Sequence, residues 1–150
     1  ITNDPHGVQG SIRMARPFID RKHPDYMKAQ VLNTLFGGFF GSRLMDNIRE
    51  DKGYTYGIHS YFQNHMHDAA WMISTEAGKD VSEATITEVY KEMQILRDVL
   101  VDDEELLLVK NFAKTSFAFT VIFFLTLSEP HAFDTFKLIV NTESLRVVFV

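Results

Sequence analysis

Cysteine is absent from the 150-residue sequence, so the chain forms no disulfide bonds and has no thiolate chemistry. Basic residues are also outnumbered: 15 Lys and Arg stand against 20 Asp and Glu, for a formal net charge of −5. A protein that binds nucleic acid needs a basic surface for the phosphates, so nucleic acid is not predicted as a main partner. A chain without cysteine fits the periplasm and the cytoplasm equally well, so the compartment stays open.

Zinc-binding motifs are missing as well. None of the six histidines belongs to an H-x-x-E-H or an H-E-x-x-H sequence, so we expect the chain alone to bind no catalytic zinc and to cleave no peptide. His59, His65 and His67 are close in sequence, and a His-x-His pair on one strand face can bind zinc or copper. Histidines in a turn between strands are more often simply solvated, so no metal-binding residue is predicted.

Long hydrophobic runs are few. The run 117–127, FAFTVIFFLTL, is too short to cross a bilayer as a helix, so no membrane span is expected and the run is interpreted as core. The chain begins at Ile1 without a signal-like segment. We therefore expect residues 1–150 to form a single domain that is a fragment of a longer chain, with residues missing after about 117 as an open alternative.

Three segments alternate between apolar and polar residues as half-buried strands do: 8–17, 56–63 and 69–76. The polar connection 64–68 predicts an antiparallel hairpin between the last two strands. A short final strand is predicted at 145–150. One side of the second strand is predicted to carry Tyr56, Ile58, Ser60 and Phe62.

Helical periodicity separates these strands. A first helix is predicted from Pro24, in the first helical position, to Phe36. Asp80 with Glu83, and Asp102 with Glu105, have capping-box spacing and predict two more helices, 80–101 and 102–117, and 130–140 is a further candidate. The first helix has an apolar stripe of Met27, Val31, Leu32, Leu35 and Phe36. The element order predicts an α+β fold, an antiparallel or mixed sheet with helices packed on one face.

The segment 37–57, GGFFGSRLMDNIREDKGYTYG, has the least ordinary composition and predicts a loop, a short helix, a turn and a strand. Ser42 is the candidate N-cap and Gly53 the helix stop. The buried face of the short helix is predicted to contain Leu44, Met45 and Ile48. The glycines before the helix do not form a P-loop, which ends in Lys and Ser or Thr. Phe39 and Phe40 within that loop are expected to contact the core or a partner.

The run NTLFGGFFGSRLMDNIREDKGYTYGIHS resembles the C-terminal, non-zinc domain of the pitrilysin or insulinase-like zinc peptidases, also called inverzincins. The shared pattern is a Gly-rich loop, Ser-Arg-Leu, Ile-Arg-Glu, a Lys-Gly pair and a Tyr. Gln9 before the first strand and HPDY at 23–26 extend the resemblance, which covers about 8–117. It implies the metallohydrolase-like half-domain of that family, a part of a zinc metalloendopeptidase that is not itself the zinc-bearing part.

The resemblance also implies functional residues. In that family the non-zinc half supplies an Arg and a Tyr, seven residues apart, that bind the substrate backbone near the scissile carbonyl, and Arg49 and Tyr56 have that spacing. The Gly-rich loop is implied to lie near the peptide substrate or the other half. Its candidate substrate-binding residues are Gly37, Gly38, Phe39, Phe40 and Gly41.

The resemblance implies that zinc is held by a partner domain, on the same chain or in a separate subunit, so that the enzyme is a dimer or an intramolecular two-half clamshell. A scaffold domain of the same fold without a peptidase role is the alternative function. In that case Arg49 is a surface cation at a helix C-terminus and Tyr56 an ordinary half-buried strand aromatic.

Overall fold

The computed structural model describes residues 6–116 and 146–149, and side chains within 6–113. These residues form a four-stranded sheet with helices on one of its faces. Two of the helical segments have π-type hydrogen bonding, and the first of them is kinked at Gly37, whose φ of −156° and ψ of 17° are not helical. In chain order the elements are β1 (Gln9–Pro17), α1 (Tyr26–Asn33), a π-helical turn (Thr34–Gly38), a second π-helical segment (Met45–Asp51), β2 (Thr55–Asn64), β3 (Ala69–Gly78), α2 (Ser82–Asp98), α3 (Asp103–Ser116) and β4 (Arg146–Phe149).

All strand pairs are antiparallel, and the strand order is β2-β3-β1-β4. Alternate residues of the three long strands are buried beneath the helices, which is the pattern that one covered sheet face requires. The core includes Ile12, Met14, Ile58, Trp71 and Ile73 from the sheet, and Leu32, Phe36, Leu44, Ile48, Val89 and Met93 from the helical layer. The predicted α+β fold with helices on one sheet face is confirmed.

Side chains of the helical layer satisfy polar groups of β2, which is the end strand of the described sheet. The amide of buried Asn33 donates from Nδ2 to the Ser60 carbonyl oxygen at 3.0 Å. Its Oδ1 accepts from Trp71 Nε1 at 2.8 Å and from Ser60 Oγ at 2.7 Å. Met45 Sδ accepts the Ile58 N–H at 3.4 Å. These bonds attach the end strand to the helices, and a buried amide with several partners is not costly.

The start of the first helix differs from the prediction. The helix begins at Tyr26, two residues after Pro24, and its last turn widens into π geometry at Thr34–Gly38. Met27, predicted within the apolar stripe, is 50% exposed, whereas the remaining stripe residues are buried. The prediction for Met27 is wrong: Met27 lies in the first turn of α1, before Ala29, the first buried residue of the helix.

The two predicted capping boxes have different outcomes. The box Asp80 with Glu83 is wrong: α2 begins at Ser82, whose hydroxyl instead donates to the Gly78 carbonyl oxygen at 2.8 Å. The cap by Asp102 is confirmed, since its Oδ1 accepts the Glu105 N–H at 2.8 Å. The predicted final strand is present as β4. The expectations for 117–127 and 130–140 lie outside the described residues.

Candidate functional site

The short helix Met45–Asp51 positions Arg49, and its predicted buried face is confirmed: Leu44, Met45 and Ile48 are at most 2% exposed. Two polar contacts hold this helix against its neighbours, and the first of them joins it to α2. Asn47 Nδ2 donates to Glu92 Oε1 of α2 at 2.6 Å. These contacts leave the helix little freedom to rotate about its axis, so the direction of Arg49 is set by the fold.

The second contact joins the start of this helix to α3. Arg43 donates from Nε and Nη2 to the two carboxylate oxygens of Glu105, at 2.6 and 2.7 Å. Both side chains are mostly buried, with 16% and 23% exposed. The hydrogen bonds that Arg43 donates to Glu105 raise the pKa of Arg43, so its guanidinium stays protonated.

Gly53 ends the helix as predicted. Its φ is 63°, which L-residues with a side chain adopt reluctantly. Its N–H donates to the Arg49 carbonyl oxygen at 3.1 Å, and the Tyr54 N–H donates to the Ile48 carbonyl oxygen at 3.0 Å. The reversal carries the chain directly from Arg49 into β2, as a glycine C-cap does.

Ser42 lies at the expected position before the helix, where its carbonyl oxygen accepts the Asp46 N–H at 3.0 Å. Its side chain does not cap the helix. The hydroxyl is buried, and no hydrogen-bond partner lies within reach among the described residues. The predicted side-chain cap is therefore wrong, because packing directs the hydroxyl into the core and away from the first helical N–H groups.

The guanidinium of Arg49 is one-third exposed and held on two sides. Nη1 is 2.5 Å from Glu50 Oε1, and Cζ lies 4.5 Å from the centroid of the Phe40 ring. An arginine has five N–H donors, and within the part of the chain described here no other acceptor is bound to them. Arg49 is therefore oriented but retains donors for a ligand.

A β-bulge exposes Tyr56. Thr55 pairs with Ala77 and Ile58 with Thr75, so β2 has one more residue than β3 over this interval. The extra residue breaks the alternation, and Tyr56 is 90% exposed while Ile58 is buried. The prediction that Tyr56 shares a strand face with Ile58 is wrong, because the bulge turns its side chain out of the core.

Arg49 and Tyr56 line one open cleft of about 550 Å³ between the helix end, the start of β2 and the start of α2. The charged side chains that line the cleft are three carboxylates and one guanidinium. The charged and aromatic lining of the cleft consists of Arg49, Glu50, Tyr54, Tyr56, Glu76 and Asp80. The two residues that the family resemblance implies thus line the same cleft, and Tyr56 is accessible there.

Some residues of the Gly-rich loop are packed against the rest of the fold, and others are exposed. A Cβ on Gly37 would lie 2.7 Å from Ser60 Oγ, so this glycine allows the close approach of the loop to β2. Phe39 stacks on Phe112 of α3, with centroids 4.7 Å apart, whereas Phe40 is 65% exposed and supports Arg49. Gly38 and Gly41 are exposed. Gly37 and Phe39 are therefore packed within the fold, and Phe40 is the loop residue that contacts Arg49.

The described residues do not fit a catalytic zinc ion. His59 is exposed on β2, and His65 and His67 are exposed around the hairpin turn. Within 6–116 and 146–149, no group of three or more His, Asp or Glu side chains is arranged to hold a metal ion. No helix in the same part of the chain is long and apolar enough to cross a membrane.

Comparison with known families matches residues 1–112 to the peptidase M16 inactive domain. The match covers most of the chain, so the chain belongs to this family. Searching curated proteins gives no match. The fold and the family agree: the chain is a peptidase M16 inactive domain.

Solved structures share the fold. A peptidase M16 inactive domain from Pseudomonas fluorescens is 24% identical with a TM-score of 0.83, and the match covers 95% of this chain and 41% of that one. A protease from Helicobacter pylori is 13% identical (TM-score 0.75; 97% and 42% covered). A chain of complex III2 from Candida albicans is 12% identical (TM-score 0.72; 98% and 44% covered). The chain thus spans about two fifths of the length of these structures.

Sequence reasoning missed the residues that hold the site in place. Glu105 was assigned to a helix cap, but its carboxylate binds Arg43, 62 residues away. Thr75 received no role, although it is a buried hydroxyl on β3 between Ile73 and Ala77, which are both buried. A polar residue at a core position of an alternating strand was the available signal.

Proposed function

We propose that this domain is the substrate-binding half of an M16 zinc endopeptidase, in which Arg49 and Tyr56 bind the peptide backbone near the scissile carbonyl. The observation that supports it most directly is the shared cleft: both side chains line it, one at a helix end and one on a bulge. Tyr56 contributes little to the core, since it is 90% exposed, and the part of Arg49 that remains exposed carries N–H donors with no acceptor among the described residues. Exposed donors converging on one cleft are typical of a ligand site.

The chemistry of this half is hydrogen-bond donation. A guanidinium and a phenolic hydroxyl both donate to a carbonyl oxygen, and more strongly to the oxyanion that develops during peptide hydrolysis. Loss of one such donor costs roughly 3 to 4 kcal/mol in the transition state. The partner half would hold the zinc ion that activates water. Arg49 and Tyr56 would orient the peptide and stabilise the developing charge.

The proposed partners are a peptide and a zinc-bearing domain, on the same polypeptide or in a separate subunit, so that two halves enclose the substrate. The extent of the relatives supports a second half, since the P. fluorescens structure is more than twice as long as the part matched here. Within the Gly-rich loop, the exposed positions Gly38, Phe40 and Gly41 are the ones available to face substrate or partner. Gly37 and Phe39 would act through loop packing.

A scaffold role without peptidase function is the second candidate. The chain of complex III2 from C. albicans has the same fold, so this architecture also occurs within a large assembly. In a scaffold, an accessible Arg49 and Tyr56 would have no ligand to bind, and their replacement would leave every activity unchanged. The two candidates therefore differ in what these two side chains contribute.

The deciding experiment replaces Arg49 in the complete enzyme and measures cleavage of a fluorogenic peptide. We expect Arg49→Ala to lower kcat/KM by about 10²-fold or more and Arg49→Lys not to restore it, because Lys lacks the planar fork. The matched control is Arg97→Ala, which removes a similar arginine paired with its own neighbour, Asp98, on α2. Wild-type kinetics for Arg49→Ala would refute the proposal and favour the scaffold.

A further inference from the structure

Two threonine hydroxyls hold the bulge from which Tyr56 projects. Thr75 Oγ1 is 2.9 Å from Thr55 Oγ1 and 2.9 Å from the Gly57 carbonyl oxygen. Thr55 Oγ1 in turn accepts the Gly57 N–H at 3.1 Å and is 2.7 Å from the Glu76 carbonyl oxygen. The backbone on either side of Tyr56 is thus tied to two hydroxyl groups and the adjacent strand.

A hydroxyl group is unusual at the position of Thr75, which faces the core. On β3 the core-facing neighbours Ile73 and Ala77 are apolar, and Thr75 itself is only 4% exposed. A buried hydroxyl is costly unless it is hydrogen-bonded, and here its partners are the bulge residues. Because a bulge leaves backbone groups without ladder partners, these hydroxyls take over the bonds that a regular strand would make.

We infer that Thr55 and Thr75 are positioning residues for Tyr56: their hydroxyls keep β2 bulged, and the bulge keeps the Tyr56 side chain directed into the cleft. Without them, the regular alternation of β2 would return Tyr56 toward the side of Ile58, away from Arg49. The two threonines need not touch substrate. The inference rests on the proposed function of Tyr56 and adds the two residues that orient its side chain.

The test uses the complete enzyme with Thr75→Val, which keeps the side-chain shape and removes the hydroxyl. We expect kcat/KM to fall about tenfold to hundredfold, the size that misplacement of a positioned group produces. Thr75→Ser should restore it. In combination with Tyr56→Phe, Thr75→Val should cause no further fall, because both changes remove the same interaction. If Thr75→Val does not fold, Thr55→Val makes the same test.

Thr85→Val is the matched control. Thr85 is fully buried in α2, and its hydroxyl donates to the Val81 carbonyl oxygen at 2.8 Å, so its loss removes a buried hydroxyl away from the bulge. It should leave kcat and KM at wild-type values. If Tyr56→Phe lowers kcat/KM but Thr75→Val does not, the inference is overturned and the proposed function stands. If Tyr56→Phe changes nothing, both fall.

Discussion

The guanidinium carbon of Arg49 lies 4.5 Å from the centroid of the Phe40 ring, so an exposed loop aromatic supports the cation at the edge of the cleft. Because the ring face attracts a cation, Phe40 restrains Arg49 without occupying any of its N–H donors. The other guanidinium contact, with Glu50, lies at its edge. The remaining N–H donors of Arg49 are left for a ligand. Phe40 thereby connects the Gly-rich loop to Arg49.

Replacing Phe40 should affect turnover more than stability. We expect Phe40→Leu to lower kcat/KM of the complete enzyme about two- to fivefold, because a cation–π contact at an exposed site is worth roughly 0.5 to 1 kcal/mol, and Phe40→Trp to retain activity. Phe39→Ala is the control: Phe39 stacks on Phe112, so its loss should lower the free energy of unfolding by up to roughly 3 kcal/mol. Equal kinetics for Phe40→Leu and wild type would argue against support of Arg49 by the ring.

The bidentate ion pair between Arg43 and Glu105 should be a major contact that holds the helix Met45–Asp51 in place. Glu105→Gln leaves a mostly buried guanidinium without its counter-ion, so we expect the free energy of unfolding to fall by roughly 2 to 4 kcal/mol, between the values for exposed and fully buried pairs. Urea unfolding at neutral pH measures the change. Glu104→Gln, on the exposed side of α3, should change stability by no more than about 0.5 kcal/mol. Equal effects of the two changes would show that the ion pair contributes nothing.

Gly37 should be intolerant of any side chain. A Cβ there would lie 2.7 Å from Ser60 Oγ and 2.9 Å from the Ser60 backbone nitrogen. We expect Gly37→Ala to destabilise the domain by roughly 1 to 3 kcal/mol, as overpacking does, measured by thermal unfolding. Gly10→Ala is the matched control, because its nearest neighbour, Ser82 Oγ, would be 3.4 Å from the new Cβ. A melting temperature unchanged by Gly37→Ala would contradict this close approach.

Glu88 gives the fold a pH dependence. A hydrogen bond from Lys91 and the charge of Lys52 hold its pKa below the usual value of 4.5. Because the folded-state pKa is lowered, this stabilisation is present above the unfolded-state pKa and is lost as pH falls through the folded-state pKa. We expect Glu88→Gln to reduce the acid-induced loss of stability measured by urea unfolding between neutral and strongly acidic pH. An unchanged slope would show that Glu88 contributes nothing to it.

Much of the fold follows from local pattern. The alternation of β1 and β3 and the stripes of the helices predicted the elements, and the positive φ of Gly53 follows from its place after a short amphipathic helix. The bulge could not be predicted, because Tyr56 and Ile58 have the spacing of one strand face and only pairing with β3 shows the extra residue. The Arg43–Glu105 ion pair could not either, since it joins positions 62 residues apart. Sequence patterns specify local periodicity, whereas bulges and long-range ion pairs depend on tertiary register.

The same distinction applies to the site. The resemblance to the peptidase family implied Arg49 and Tyr56, and the fold places both on one cleft. The resemblance contained no information on Phe40 as the support of Arg49 or on Thr75 as part of the bulge, because both contacts cross between elements. The residues proposed to bind the peptide directly were thus easier to find than the residues proposed to position them.

Steady-state kinetics of Tyr56→Phe in the complete enzyme test the central claim most directly, because the substitution removes one hydroxyl from a side chain that is 90% exposed and leaves the core intact. If Tyr56 donates mainly to the transition state, kcat and kcat/KM fall together by about 10²- to 10³-fold. Unchanged kinetics, or a rise in KM alone at constant kcat, would contradict that role for Tyr56.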